Sequence, residues 1–239
     1  KDLQKTFKIG GERFTKYPKV TKLFEENCKI KIDYQDSIFK SIDKSKEQYY
    51  LEEIKKLIKY SGVNSKNCEK ILKFSNLLIE VSNGADGYYY RAFSKSSCQY
   101  DYESSINDIS KAIAINPYNS KYIFRRGIIH SIYDNELAAI EDFDKVISVD
   151  DNNENYYYFR GISNYNLNKY SEAIKDFELS KLINKKRIDS SKYKSYSIYK
   201  DYDENVYLYL AKSDLKLEKY VSALGHINYA IQKLGAGPR

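Results

Sequence analysis

An all-α solenoid of stacked helical hairpins is the fold this sequence predicts, and three observations predict it. One short pattern returns at a fixed interval. Ser105-Ile106-Asn107-Asp108-Ile109, Ala139-Ile140-Glu141-Asp142-Phe143 and Ala173-Ile174-Lys175-Asp176-Phe177 begin 34 residues apart, and Ala223-Leu224-Gly225-His226-Ile227 follows after 50, one more period plus an insertion of 16. Each copy sits in a pair of amphipathic helical patterns joined by a short turn. Small residues recur where the two helices of a pair must approach. A fixed period of this size is the mark of helical hairpins that stack side by side, because one hairpin cannot bury its apolar face alone.

The third repeat shows the logic. Its first helix is expected from about Glu154 to Leu167 and its second from about Ser171 to Leu182, with Asn168-Lys169-Tyr170 as the turn. Gly161 and Ala173 stand at the approach of the two helices. Glycine inside a helix costs about 1 kcal/mol against alanine, so its recurrence needs a packing reason. A side chain at Gly161 would overpack the hairpin, at a cost of about 1–3 kcal/mol. Phe177 lies four residues after Ala173, on the same helical face, and is expected to fill the core.

The second repeat carries Ile123, Arg126-Gly127, His130, Ala139 and Phe143, and the third carries Tyr157, Arg160-Gly161, Asn164, Ala173 and Phe177. The fourth carries Tyr207, Leu210-Ala211, Asp214, Ala223 and Ile227. The first carries Tyr88, Arg91-Ala92, Lys95, Ser105, Ile109 and Pro117, with one extra residue in its turn. This pattern resembles the tetratricopeptide repeat (TPR) family. It departs from the family in lacking the tryptophan, in replacing the mid-helix tyrosine and in keeping the terminal proline only in the first repeat. The resemblance implies a right-handed superhelix of four repeats, at about 86–119, 120–153, 154–187 and 204–234, with an insertion near 188–203 and a tail at 235–239.

Residues 1–85 show no confident repeat. Phe7 to Phe14, around Gly10-Gly11, is expected as a short hairpin. Lys46 to Tyr60 places Leu51, Ile54, Leu57 and Ile58 on one helical face, and Lys66 to Val81 does so for Ile71, Phe74, Leu77 and Leu78. Ser61 to Asn64 separates the two as a turn, with Asn64 or Ser65 as the cap. Such a pair suits an atypical repeat capping the array. At the other end the sequence stops just after the last helix, so the native chain is expected to continue, or that face to pack on another molecule, including a second copy.

Composition narrows the function. The chain has 239 residues, 42% hydrophobic and 31% charged, with a formal net charge of +7. No apolar run reaches membrane-spanning length. The charge fits lysines spread over helix surfaces in a Lys-, Tyr-, Asn- and Ile-rich composition; an acidic partner such as nucleic acid is the alternative. Cys28, Cys68 and Cys98 are odd in number and widely spaced, so neither a disulfide framework nor a zinc motif is expected. That points to a reducing, cytoplasmic setting, although a chain opening at Lys1 is compatible with a leader removed upstream.

No metal, cofactor or enzymatic activity is expected. His130 and His226 fall in different repeats, and neither has a catalytic motif around it. Asp150 to Glu154 lacks the spacing and glycine of a calcium loop.

The resemblance places the first helix of each repeat on the concave surface. That surface would be lined by Tyr89 and Phe93, by Phe124, Ile128 and Ile132, by Tyr158, Ile162, Tyr165 and Asn166, and by Leu208, Lys212 and Lys216. An apolar, aromatic groove of this kind suits an extended peptide or an amphipathic helix, so a protein-interaction scaffold or adaptor is expected. The other reading is that the protein covers the groove itself, for instance with its amino-terminal third.

One TPR class binds the acidic tails of chaperones through a clamp of Lys, Asn, Asn, Lys and Arg. The matching positions here hold Tyr89, Phe93, Arg125, Asn155 and Phe159 or, one repeat on, Phe124, Ile128, Phe159, Asn205 and Tyr209, so no such clamp is expected. The alternative function is nucleic-acid binding through the basic, Tyr-rich insertion, by Lys185, Lys186, Arg187, Lys192, Tyr193 and Lys194. Its bland counterpart is a lengthened helix followed by a solvated loop.

Overall fold

A computed structural model describes residues 43–58, 65–99, 101–190 and 200–235. Two helices come first, α1 (43–58) and α2 (Ser65–Ser82). The first repeat is α3 (Ala85–Ser94), a π-helical turn (Lys95–Gln99) and α4 (Tyr102–Ile115). Then come α5 (Ser120–Ile132) with α6 (Glu136–Val149), α7 (Glu154–Asn166) with α8 (Tyr170–Ser190), and α9 (Lys200–Lys216) with α10 (Tyr220–Gly235). No strand occurs among the described residues. The chain is a helical-repeat solenoid: each helix packs on the one before and the one after it. The first helices of successive repeats also touch, α5 with α7 and α7 with α9, which sets them on the inner side of the curve. The expected hairpin at Phe7 to Phe14 lies outside the described residues.

The two middle hairpins close on the same contact. Ala139, Phe143, Ala173 and Phe177 are fully buried. A Cβ on Gly127 would meet the Phe143 ring at 2.7 Å, and one on Gly161 would meet the Phe177 ring at 2.8 Å. The helix glycines are therefore set by the phenylalanine opposite.

The turns inside the repeats share one device. Asp134, Asn168 and Glu218 have φ of 59°, 60° and 57°. The next amide then turns back to the preceding helix, from Asn135 to the His130 carbonyl (2.9 Å), from Lys169 to that of Asn164 (2.8 Å) and from Lys219 to that of Asp214 (2.8 Å). These bonds satisfy carbonyls that the helix end leaves open. The starts of α5 and α7 are capped alike: Asn119 accepts from the Lys121 amide and Asn153 from the Asn155 amide.

Ion pairs repeat along the array as well. Arg91, Arg126 and Arg160 each donate two hydrogen bonds to a carboxylate of their own second helix, Asp108 (2.8 and 2.7 Å), Asp142 (2.7 and 2.7 Å) and Asp176 (3.0 and 2.6 Å). These aspartates are buried, so losing one arginine costs about 3–5 kcal/mol by stranding a charge. Burial alone would push the Asp108 carboxyl up, but hydrogen bonds from Arg91 and Lys95 hold it below the usual carboxylate range. In the fourth repeat the polarity reverses. Leu210 stands at the arginine position, and His226 replaces the aspartate with its Nδ1 3.1 Å from Asp214 of α9.

The amino-terminal helices dock on the first repeat. Ile54, Ile71 and Leu78 join Tyr89, Tyr90, Ala92 and Ile109 in one core, with Leu51, Leu57, Ile58 and Phe74 packed against it. Cys68 and Cys98 form a disulfide, with Cα atoms 6.1 Å apart, and this corrects the expectation of unpaired cysteines. The reason lies in the extra residue of the first repeat. It is absorbed as the π-helical turn Lys95–Gln99, a known result of inserting one residue into a helix, and that turn carries Cys98 against α2. The cysteine argument for a reducing compartment falls with this bond.

Candidate functional site: the inner helix face

Three helices present parallel stripes on the inner side. Positions 121, 125, 128 and 132 of α5 lie one or two turns apart, as do 155, 159, 162 and 166 of α7 and 205, 209, 212 and 216 of α9. Reading across, the stripes carry Lys121, Asn155 and Asn205; Arg125, Phe159 and Tyr209; Ile128, Ile162 and Lys212; then Ile132, Asn166 and Lys216.

Between the stripes runs an aromatic seam. The Phe124 ring lies 4.8 Å from Tyr156, 5.6 Å from Phe159 and 5.8 Å from Phe143, centroid to centroid. Tyr158 lies 5.3 Å from Phe159, 6.1 Å from Phe177 and 6.3 Å from Tyr209. Tyr165 lies 5.7 Å from Tyr209, and with Ile162 it packs on the core formed by Ala173, Phe177, Val206 and Leu210. Burial pushes the Tyr158 hydroxyl up to about 12, so it stays protonated at any physiological pH. Phe124, Tyr158, Ile162 and Tyr165 thus join one repeat to the next while each keeps part of its surface open.

The expected groove residues divide accordingly. Ile132 and Leu208 are the open apolar positions, 47% and 45% exposed. Leu208 occupies the place that Phe124 and Tyr158 hold in earlier repeats, where a ring of the next repeat would lie against it. Ile128 is half-buried, and Lys212 and Lys216 are exposed. Asn166 is exposed, and its Nδ2 donates to Glu136 Oε1 (2.5 Å). Ser131 donates to the other oxygen of that buried carboxylate (3.0 Å), so Glu136 is satisfied from two repeats.

Tyr89 and Phe93 are corrected: both are buried, at 7% exposure, and do not stand as open anchors. The next repeat covers them with cations, Lys121 Nζ 4.0 Å from the Tyr89 ring centroid and the Arg125 guanidinium 4.6 Å from that of Phe93. Lys121 is absent from the residues expected at the site, and Arg125 is expected only as a position that forms no clamp. Their one signal is a pair of basic residues four apart on the face that also carries Ile128 and Ile132.

The basic insertion divides too. Lys185, Lys186 and Arg187 lie on α8, which runs unbroken to Ser190. The Arg187 guanidinium is engaged by Glu154 (2.7 Å) and Asn184 (2.9 Å), tying the end of α8 to the start of α7. Lys192, Tyr193 and Lys194 lie outside the described residues. No cluster of metal-ligating side chains occurs among the described residues, and no helix there is long and apolar enough to cross a membrane.

Stacked hairpins with an inner face of first helices define a helical-repeat protein, and solved structures share the fold. MamA 41-end from Desulfovibrio magneticus RS-1 superposes with a TM-score of 0.62 at 11% identity, over 81% of this chain and 98% of that one. MamA MSR-1 gives 0.59 at 14% identity over 80% and 98%, and MamA AMB-1 gives 0.54 at 15% over 81% and 98%. MamA is a TPR-like helical-repeat protein, and at these identities the likeness concerns the fold. No protein-family model and no curated protein sequence matches the chain.

Proposed function

We propose that this chain is a protein-interaction scaffold of the TPR type, without enzymatic activity, and that it binds a peptide or helix along the inner stripes of α5, α7 and α9. One observation carries the reading. The inner face is built on an interlocked aromatic seam, in which Phe124, Tyr158 and Tyr165 bridge neighbouring repeats while each keeps part of its surface open, and Ile132 beside it is 47% exposed. Rigid aromatic surface of this kind binds at low entropic cost, because its side chains are already ordered by their neighbours. The absence of a carboxylate clamp in the sequence directs the reading to apolar anchors rather than a chaperone tail. The seam is internal packing as well, so the binding surface is the open edge of the stripes and not the whole ring of each residue. The disulfide favours an oxidising compartment over the cytoplasm expected from the sequence.

The test is capture of partners from the source cell's lysate, in nuclease-treated and untreated halves eluted with a salt gradient. Under this reading a discrete protein survives nuclease and high salt, and the Ile132→Asp/Leu208→Asp variant loses it. A nucleic acid released at moderate salt would move the function to the basic, Tyr-rich insertion from Lys185 to Lys194.

A further inference from the structure

The inner face has a charge pattern of its own. Among the described residues, α5 contributes Lys121 and Arg125 to its stripe and α9 contributes Lys212 and Lys216, whereas the α7 stripe of Asn155, Phe159, Ile162 and Asn166 carries no charge. Two described acids meet this face, and both are engaged: Asp86 accepts from the Tyr122 hydroxyl (2.9 Å) and lies 3.8 Å from Lys121, and the buried Glu136 accepts from Asn166 of the α7 stripe (2.5 Å) and from Ser131 (3.0 Å). The second helices differ: α6 carries Glu136, Glu141, Asp142 and Asp144 against Lys145, and α8 mixes Glu172, Lys175, Asp176, Glu178 and Lys181 before its basic end at Lys185, Lys186 and Arg187.

Arg125 stands apart from the other described arginines. Arg91, Arg126, Arg160 and Arg187 each hold a carboxylate at 2.6–2.7 Å. Arg125 holds none among the described residues; its guanidinium lies over the Phe93 ring, 4.6 Å from the centroid, and over the Tyr89 ring, 5.9 Å from the centroid. An arginine held over a ring can still offer the N–H groups in the plane of its fork to a carboxylate in a two-pronged bond. At the other end Lys212 lies over the Tyr209 ring, with Nζ 5.1 Å from its centroid.

We propose that the inner face selects an acidic protein segment: large apolar side chains over the neutral α7 row, with Asp or Glu on either side reaching Arg125 at one end and Lys212 and Lys216 at the other. This rests on the reading of the inner face as a protein-binding surface and adds the chemistry of the partner. It differs from a terminal-carboxylate clamp, since the acids sit within the segment and flank apolar anchors. A nucleic acid fits the pattern poorly, because the two cation groups are separated by an uncharged row and a phosphate backbone needs them continuous.

The test is selection of linear random peptides displayed on phage against the full chain. Parallel selections use Arg125→Gln, Lys212→Gln/Lys216→Gln and Ile132→Asp/Leu208→Asp. Enriched peptides are expected to carry two or more Asp or Glu flanking at least two of Leu, Ile, Phe, Tyr or Trp. Their affinity should fall about tenfold with Arg125→Gln or with the double lysine variant, and fall further as salt rises. The lysines are exposed, so that variant keeps the test valid should Arg125→Gln disturb the packing on Phe93. Neutral or basic peptides that are lost with Ile132→Asp/Leu208→Asp would overturn the acidic selectivity and leave the groove reading standing. No peptide sensitive to any of the variants would remove both. Binding of a fluorescein-labelled uridine oligonucleotide that Arg125→Gln abolishes would also overturn the proposal, by assigning these cations to phosphate.

Discussion

Gly161 and Phe177 are matched in size: a Cβ on the glycine would stand 2.8 Å from Cε1 of the ring and 3.0 Å from Cδ1. Gly127 and Phe143 repeat the match, at 2.7 and 3.0 Å. In the outer two repeats both members change together, to Ala92 with Ile109 and Ala211 with Ile227. A smaller core residue leaves room for the methyl group.

This pairing predicts a coupled pair of substitutions. Gly161→Ala gains about 1 kcal/mol of helix propensity but loses about 1–3 kcal/mol to the clash, so it is destabilising or neutral with Phe177 present. In a Phe177→Ile background the same change becomes stabilising by up to about 1 kcal/mol. Urea unfolding of the four members of the cycle should give a coupling energy of about 1 kcal/mol or more. Additive values would show that the ring does not set the glycine.

A second prediction concerns Glu218, the one residue in the three equivalent turns that is neither Asp nor Asn. Its φ of 57° strains an ordinary side chain. Glu218→Gly or Glu218→Asn should therefore stabilise the α9–α10 hairpin, by about 0.5–1 kcal/mol. The thermal midpoint of the full chain reports it, and a fall would contradict the turn geometry.

His130 predicts a slope in stability with pH. Its Nδ1 lies 3.0 Å from the Tyr102 hydroxyl and its Nε2 4.0 Å from Asp142. Burial pushes the imidazole pKa down, outweighing the pull of Asp142, and the Arg126 charge adds to the fall. A pKa lower in the folded state means that protons favour unfolding. The contribution is complete above the unfolded value of about 6.5 and is lost as pH falls below it toward the folded one. Unfolding free energy should thus drop between about pH 7 and 5, and His130→Gln should flatten that drop. An unchanged slope in the variant would place the proton elsewhere.

The disulfide predicts an effect confined to one end. Cys68 and Cys98 are 30 residues apart, and closing a loop of that size stabilises by about 3–4 kcal/mol in the chain-entropy model. In Cys68→Ser/Cys98→Ser, hydrogen exchange should quicken across α2 and α3 and stay unchanged across α7 and α8, since repeat arrays pass stability mainly between neighbours. Uniform loss of protection would show that the amino-terminal helices support the whole array.

The fold was legible because it is written in repeated residues. The Asp108, Asp142 and Asp176 series and the Gly–Phe pairs return at the period, and each is a physical contact inside one hairpin. Helices α1 and α2 were legible through Ile54, Ile71 and Leu78, which keep helical spacing. The disulfide was hidden because it depends on a π-helical turn: the extra residue of the first repeat is visible in the sequence, but its absorption as a local change of pitch that carries Cys98 to α2 is not. The site was legible only in part. Helical spacing puts Tyr89 and Phe93 on the inner face, but it does not reveal that Lys121 and Arg125 of the next repeat lie over them. Covering of that kind depends on the angle between neighbouring repeats, and only the assembled array shows it.

The central claim is that the inner face binds a protein partner. The most direct measurement compares two pairs of exposed apolar residues in one capture experiment. Ile132→Asp/Leu208→Asp alters the inner face, and Leu137→Asp/Val149→Asp alters the ends of α6, where those residues are 63% and 75% exposed. With both variants folded by circular dichroism, affinity for a captured protein should fall at least tenfold in the first and stay within about twofold in the second. An affinity lost in the second and kept in the first would place the binding surface away from the inner face and contradict the account.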